Sequence, residues 1–167
     1  MTELAHYALR YAASQIGVRE DPPGSNRGPK VDEYLRWAAR AGLLDPMVLT
    51  EGRKGPPWCV AFALWCIAQG ARIISEHARP QLVYSLSGRR LVELNQKLLL
   101  DRPTAGSIAI HINEDGTSHV QLVQSVTYDF DIKGIEGNTD ASGSRTGGQV
   151  MEQKRPSGWA QAFLAIR

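Results

Sequence analysis

The residue best placed for chemistry is Cys59. It follows Pro56-Pro57 and lies at the start of WCVAFALWCIAQG, a stretch predicted to be a helix that ends at Gly70. The N-terminal end of a helix carries partial positive charge and backbone N–H groups without partners inside the helix. Both features favour a thiolate, and the N–H groups could also hold an oxyanion. We therefore predict that Cys59 is a nucleophile; the alternative is a small apolar core residue.

The second cysteine, Cys66, is interpreted as a core residue because it lies in the middle of the same predicted helix, between Trp65 and Ile67. The helical rise separates the two cysteines by about 10.5 Å, whereas a disulfide needs Cα atoms closer than roughly 7 Å. Two free thiols are therefore expected, which is typical of synthesis in a reducing compartment. The sequence has no CxxC or HExxH motif, so we expect no metal site and no cofactor.

A cysteine nucleophile needs a base, most often a histidine, and the chain has four histidines. His6 and His77 are interpreted as surface or capping residues. His111 and His119 flank an Asp-Gly turn between two predicted strands, so each is held on a rigid element. The local sequence does not distinguish these two histidines, and a structural role is the alternative for either.

A Cys/His site usually has a third group that orients the imidazole. Glu136, Asn138 and Asp140 lie at alternating positions, so two of them can share a face if the predicted strand extends that far. The alternative is that they solvate and shape a loop, as Asn and Asp often do. Glu136 and Asp140 therefore both remain candidates for the position beside the histidine.

The elements that must position these side chains form a helical half and a strand half. Apolar spacing predicts helices over 3–16 and 30–41, a loop from Asp21 to Pro29, and a short helix near 87–97. After Pro103 the sequence alternates. Strands are predicted over 106–112, 118–126, 132–136, 149–155 and 161–167, and a loop over 137–148. Helices followed by antiparallel strands indicate an α+β domain in which N-terminal helices pack on a C-terminal sheet.

Length and composition indicate one globular domain over 1–167, with 43% hydrophobic and 22% charged residues. The chain has 19 Lys+Arg against 17 Asp+Glu and no basic run longer than two residues, which argues against a nucleic-acid binder. No apolar run is long enough for a transmembrane segment. Residues 1–18 lack the pattern of a secretory signal, so we expect synthesis in the cytoplasm without a signal peptide. We also expect a monomer.

Taken together, these residues resemble the CHAP family, the cysteine, histidine-dependent amidohydrolases/peptidases. PPWCVAFALWC carries Cys59 at the family's nucleophile position, and SHVQLV carries His119 at the family's histidine. IEGNT matches the family's Glu-x-Asn element with Glu136 and Asn138. The loop EDPPGSNRGP is similar to one in phage lysins and bacterial wall hydrolases, and the resemblance as a whole extends over residues 16–140.

The resemblance implies a papain-like CHAP fold, in which the cysteine helix packs on a sheet that carries the histidine. It implies that Cys59 attacks an amide of peptidoglycan, while His119 activates the thiol and protonates the leaving amine. Glu136 would orient His119, and Asn138 would support that arrangement or the oxyanion. The enzyme would be an N-acetylmuramoyl-L-alanine amidase or an endopeptidase of the peptide stem, and both remain open.

The biological setting implied by the resemblance also remains open. The enzyme would act on the cell wall, in the periplasm or outside the cell, either as a phage endolysin released by a holin or as a secreted antibacterial effector blocked by an immunity protein. Two departures stand out: Gly106-Ser107 replaces a common Gly-Asp, and LTEGRKGPP lacks an acidic calcium-binding cluster, so no structural calcium is expected. The alternative functions are a non-catalytic wall-binding module on the same fold and a cytoplasmic cysteine amidase for a small peptide-like substrate.

Overall fold

A computed structural model gives the structure of the protein and describes residues 1–75, 77–144 and 146–167. The helices are α1 (Glu3–Ser14), α2 (Pro29–Arg40), α3 (Cys59–Ile74) and α4 (Gly88–Leu94), with 3₁₀ turns at Pro46–Leu49 and Gln96–Leu98. The strands are β1 (Leu99–Leu100), β2 (Ser107–Ile112), β3 (Ser118–Val126), β4 (Ile132–Thr139), β5 (Gln149–Arg155) and β6 (Ala162–Ala165). This order confirms the α+β class expected from the sequence.

The six strands form one sheet in the order β1-β6-β2-β3-β4-β5, and all neighbours are antiparallel. The β2–β3 hairpin turns at the predicted Asp-Gly step, where Gly116 adopts a φ of 80° that favours glycine. Its register places His111 directly opposite His119. The two-residue β1 was not predicted, because so short a strand exists only through its pairing with β6.

Helix α3 is the centre of the core and packs against α1, α2, β3 and β4. Its residues from Cys59 to Ile67 are all buried, which is typical of a helix that is apolar on every side. The predicted helix end at Gly70 is wrong, since α3 continues to Ile74. Gly70 instead lies where α1 crosses α3, and a Cβ there would stand 2.8 Å from the backbone nitrogen of Ala8. A close approach of two helices therefore explains this glycine.

The two faces of the sheet have different surroundings. One face joins the helices in the main core through a row of aliphatic residues: Ile108, Ile110, Val120, Leu122, Ile135 and Leu164. The other carries a small cluster of Ala109, Val123 and Ile132 packed with Trp159 and Phe163. Because strand side chains alternate, His119 and Gln121 project to this second face, as does Glu136 on the neighbouring strand.

The observed end of β4 differs from the predicted one because pairing with the neighbouring strands, rather than the local sequence pattern, decides where a strand ends. Strand β4 extends through Thr139, so Glu136 and Asn138 both belong to it. The predicted loop over 137–148 is therefore shorter, and it includes Arg145, which lies outside the described residues.

Among the helices of the described ranges, none is long and apolar enough to cross a membrane.

Candidate active site

Cys59 is the first residue of α3, which begins one residue after the predicted start at Trp58. The first turn is closed by the Phe62 N–H, which donates to the Trp58 carbonyl at 2.9 Å, while the N–H groups before it lack partners inside the helix. Trp58 itself is fully buried, and its Nε1 donates to Glu20 Oε1 at 2.9 Å. The thiol of Cys59 lies 3.7 Å from the carbonyl oxygen of Ser118, at the start of β3. Packing thus fixes the sulfur where the positive end of α3 meets the sheet.

The imidazole of His119 lies between Cys59 and Glu136. Its Nε2 is 2.8 Å from Glu136 Oε2, and its Nδ1 is buried without another hydrogen-bond partner, which leaves that nitrogen for the thiol. Burial by itself lowers the pKa of His119. Hydrogen bonding with Cys59 and Glu136, and their negative charges, outweigh that effect and raise the pKa to about 9. The imidazolium is therefore the prevailing form at neutral pH.

Glu136 is the most completely enclosed charge of the site. It has no exposed surface and accepts four hydrogen bonds, from His119 Nε2, from Gln121 Nε2 at 3.1 Å, and from Arg155 Nε at 2.7 Å and Nη2 at 2.5 Å. Burial raises the pKa of Glu136, but the hydrogen bonds from Arg155 and His119 and their charges lower it below its usual value. Because the carboxylate stays ionised, it accepts the hydrogen bond that the N–H at His119 Nε2 donates.

Asn138 lies in the same strand but makes different contacts. The ladder between β4 and β5 is irregular between Glu136 and Thr139, and Asn138 adopts a φ of 58°. Its Oδ1 accepts from the Gly148 N–H at 3.3 Å, and its Nδ2 donates to Asn26 Oδ1 at 3.5 Å. The structure therefore places this buried amide between the 21–29 loop and the loop before β5, not against the imidazole.

Asp140, the other candidate for the third position, shapes its own loop. Its Oδ1 accepts from the Ser142 N–H at 2.9 Å, the Ser142 hydroxyl at 2.6 Å and the Ser144 N–H at 3.1 Å. These hydrogen bonds lower the pKa of the half-buried Asp140 carboxyl. The carboxylate beside the imidazole is therefore that of Glu136.

His111 shares the sheet face with His119 but has both ring nitrogens engaged elsewhere. Its Nδ1 is 2.6 Å from the Trp159 carbonyl oxygen, and its Nε2 is 3.1 Å from Asn113 Oδ1. Its ring also stacks on the Trp159 indole, with centroids 5.2 Å apart and an interplanar angle of 11°. These contacts give His111 a structural role and leave His119 as the histidine of the candidate site.

Sequence reasoning missed Gln121 and Arg155. Gln121 had a signal, because a residue two positions after His119 on the same strand shares its face. Arg155 had none, since 19 positions separate it from Glu136 and only the pairing of β5 with β4 brings them together. Cys66 is fully buried, both thiols are free, and burial raises the pKa of Cys66 well above its usual value, in agreement with the predicted core role.

A groove of about 510 Å³ opens beside the sulfur of Cys59. One group of lining residues is aliphatic: Leu43, Leu44, Pro56, Pro57, Val60 and Leu86. A second group carries hydroxyls: Ser87, Thr117, Ser118 and Thr146. Within the described ranges, no group of three or more His, Cys, Asp or Glu side chains could hold a metal ion. The groove therefore offers a thiol, apolar surface and hydroxyl groups.

Comparisons of the chain with protein-family models, with curated proteins and with solved structures find no match. The chemical interpretation therefore depends on the site itself. A thiol at a helix N-terminus, an imidazole beside it and an ionised carboxylate behind the imidazole form an arrangement suited to nucleophilic attack and proton transfer at a carbonyl.

Proposed function

We propose that the protein is a cysteine amidohydrolase or peptidase with a papain-like CHAP fold, and that its substrate is an amide of bacterial peptidoglycan. The observation that carries the proposal is the position of His119, buried between the thiol of Cys59 and the ionised carboxylate of Glu136. A histidine with only a structural role has no need of a thiol on one side and a buried anion on the other.

In the proposed mechanism, the thiolate of Cys59 attacks the scissile carbonyl carbon and forms a tetrahedral intermediate. Backbone N–H groups at the start of α3, including that of Cys59, stabilise the oxyanion. His119 then gives its proton to the leaving amine, and the amide bond breaks to leave a thioester. Water, deprotonated by the neutral imidazole, attacks the thioester, and Cys59 leaves as the thiolate while the carboxylic acid is released.

The groove supports a peptide-like substrate. Its aliphatic residues, such as Leu43 and Leu86, suit small apolar side chains or the methyl groups of a lactyl-alanine junction. The hydroxyl oxygens of Ser87 and Ser118 each accept a hydrogen bond from a backbone N–H of α4, so their O–H groups can donate to carbonyl groups of an extended backbone. The assignment to peptidoglycan comes from the family resemblance, as do the settings of host lysis with a holin and of delivery as an antibacterial effector with an immunity protein.

The test is incubation of purified peptidoglycan with the protein, followed by mass spectrometry of the released fragments. Cys59→Ala should release nothing, whereas Cys66→Ala, the matched control with the same side-chain change seven residues further along α3, should retain release. New termini on the fragments identify the bond, and so distinguish amidase from endopeptidase. If folded and reduced protein releases no fragments from walls of several chemotypes, the wall-hydrolase proposal is wrong, and small peptide amides become the next substrates to try.

A further inference from the structure

Arg155 is a charged residue at the site to which the proposed mechanism gives no role. Its guanidinium forms a two-pronged ion pair with Glu136, and Nη2 also donates to the Gly143 carbonyl at 2.9 Å. The side chain of Arg155 is 13% exposed. A bidentate pair of this kind fixes both the direction and the charge of a carboxylate.

Trp159 holds the guanidinium from another side. The Arg155 guanidinium carbon lies 4.7 Å from the centre of the indole, within the range of a cation–π contact. The same indole stacks on His111 and makes a T-shaped contact with His119, with centroids 6.3 Å apart. Trp159, in the segment between β5 and β6, therefore contacts both the imidazole of His119 and the guanidinium of Arg155, and it restricts the movement of Arg155.

We propose that Arg155, held by Trp159 and Gly143, is a positioning residue that fixes the Glu136 carboxylate and sets the proton affinity of the Cys59–His119 pair. This inference rests on the proposed function only in that Cys59 must be the nucleophile. The arginine keeps Glu136 from rotating away from the imidazole. Its positive charge also offsets part of the negative charge that Glu136 presents to His119.

The sign of the electrostatic effect follows from the groups that meet at the site. These are Cys59 from α3, His119 from β3, Glu136 from β4, Arg155 from β5 and, across Trp159, His111 from β2. Removal of a fixed positive charge increases the proton affinity of every neighbouring group, whichever of them holds the proton. Loss of Arg155 should therefore shift the titration of the whole cluster to higher pH. It should also increase the fraction of molecules in which Glu136 rather than His119 holds the proton, and this weakens the thiolate–imidazolium pair.

The experiment is the pH dependence of Cys59 alkylation by iodoacetamide, which needs no substrate. Arg155→Gln should move both inflections of the rate profile upward by about one pH unit and lower the plateau between them roughly tenfold. Arg155→Lys keeps the positive charge but loses the planar guanidinium that makes the bidentate contact with Glu136. Its inflections should therefore stay near those of the unaltered protein, while its plateau rate of alkylation falls. Lys154→Gln is the matched control, because it removes the same charge from an exposed neighbour on β5 and should change nothing.

Unshifted inflections in folded Arg155→Gln would overturn the electrostatic role. If Arg155→Gln fails to fold, Arg155→Lys still decides the positioning role, because a plateau equal to that of the unaltered protein contradicts it. Mass spectrometry after alkylation confirms that Cys59, not the buried Cys66, carries the label. The result is independent of wall hydrolysis: shifted inflections together with intact peptidoglycan would support the role of Arg155 and count against the proposed substrate.

Discussion

Glu136 accepts a hydrogen bond from the imidazole of His119 across 2.8 Å, and both side chains are almost completely shielded from water. A buried carboxylate is costly unless charged or polar donors surround it. Gln121 and Arg155 supply those donors, so Glu136 stays ionised in the absence of solvent. The pair is therefore stable only as part of a four-residue cluster that spans β3, β4 and β5.

Glu136→Gln should reduce turnover strongly while it also destabilises the fold. The amide has nearly the same shape, but it leaves the imidazolium without its anion and Arg155 buried beside a neutral group. By analogy with the loss of the orienting carboxylate in other triads, kcat should fall by about 10²- to 10⁴-fold. Leaving one partner of a buried ion pair should cost about 3–5 kcal/mol of unfolding free energy, measured by urea denaturation.

The matched control for that variant is Glu152→Gln. Glu152 lies on the neighbouring strand, where its exposed carboxylate pairs with Lys133 at 2.8 Å. An exposed ion pair contributes about 0–1 kcal/mol, so this substitution should change neither turnover nor stability appreciably. If Glu136→Gln and Glu152→Gln change turnover and unfolding free energy equally, the buried position of Glu136 does not matter for either property.

The charge of His119 should depend on Cys59. Burial lowers the pKa of His119, and only the hydrogen bonds and charges of Cys59 and Glu136 raise it to about 9. Cys59→Ser replaces a group able to become an anion with a neutral hydroxyl, so one raising contribution is lost and the burial remains. NMR titration of labelled imidazoles should show the pKa of His119 lower by about one unit or more in Cys59→Ser.

The other histidines provide an internal reference for that titration. The His111 imidazole contacts Trp159 and Asn113 and not Cys59, so its resonances at neutral pH should be the same in both proteins. An unchanged His119 titration in Cys59→Ser would mean that the thiol and the imidazole do not form a charge pair.

Asn138 should matter for stability more than for proton transfer. Its amide joins Gly148 to Asn26, and its φ of 58° is a backbone conformation that most side chains avoid. Asn138→Ala should cost about 1–3 kcal/mol of unfolding free energy, because a buried N–H loses its acceptor. Asn138→Gly tolerates the positive φ, so the difference between the two variants isolates the backbone strain.

The contrary outcome for Asn138 is a change in the pH dependence of activity. If Asn138→Gly shifts that profile while the unfolding free energy stays the same, the amide acts on the imidazole or the oxyanion directly. The family resemblance implies such a role, whereas the contacts of Asn138 favour the one that supports the loops.

Gly137→Ala should separate the nucleophile from its base. A Cβ at Gly137 would lie 2.8 Å from Trp58 Cζ3 and 2.9 Å from Phe62 Cβ, both on the segment that carries Cys59. Relief of this contact must push α3 away from β4, at a cost of about 1–3 kcal/mol typical of an overpacked core. Activity should fall more than the loss of stability accounts for, which activity assays and thermal unfolding together can measure. Full activity in a destabilised variant would contradict this coupling.

Sequence reasoning succeeded where a residue's role depends on its near neighbours. The start of α3, predicted at Trp58 and observed at Cys59, follows from the preceding prolines and the apolar run. The β2–β3 hairpin follows from Asp115-Gly116 between alternating residues. Reasoning failed at Gly70, because local pattern treats glycine as a helix end and contains no information about the close approach of α1. The local sequence also did not separate His111 from His119, which have equivalent local environments, and the choice of His119 came from the family resemblance.

By itself, the sequence determined the α+β class, the helix with its cysteine, and the strands with their histidines and acidic residues, because hydrophobic period and turn chemistry are local properties. Only the tertiary structure decided that Glu136 rather than Asp140 faces His119, that Asn138 holds two loops, and that Arg155 completes the cluster. These outcomes depend on strand register, on the irregularity in β4 and on which charges become buried together. Such properties arise from pairing between distant segments, so no local pattern encodes them.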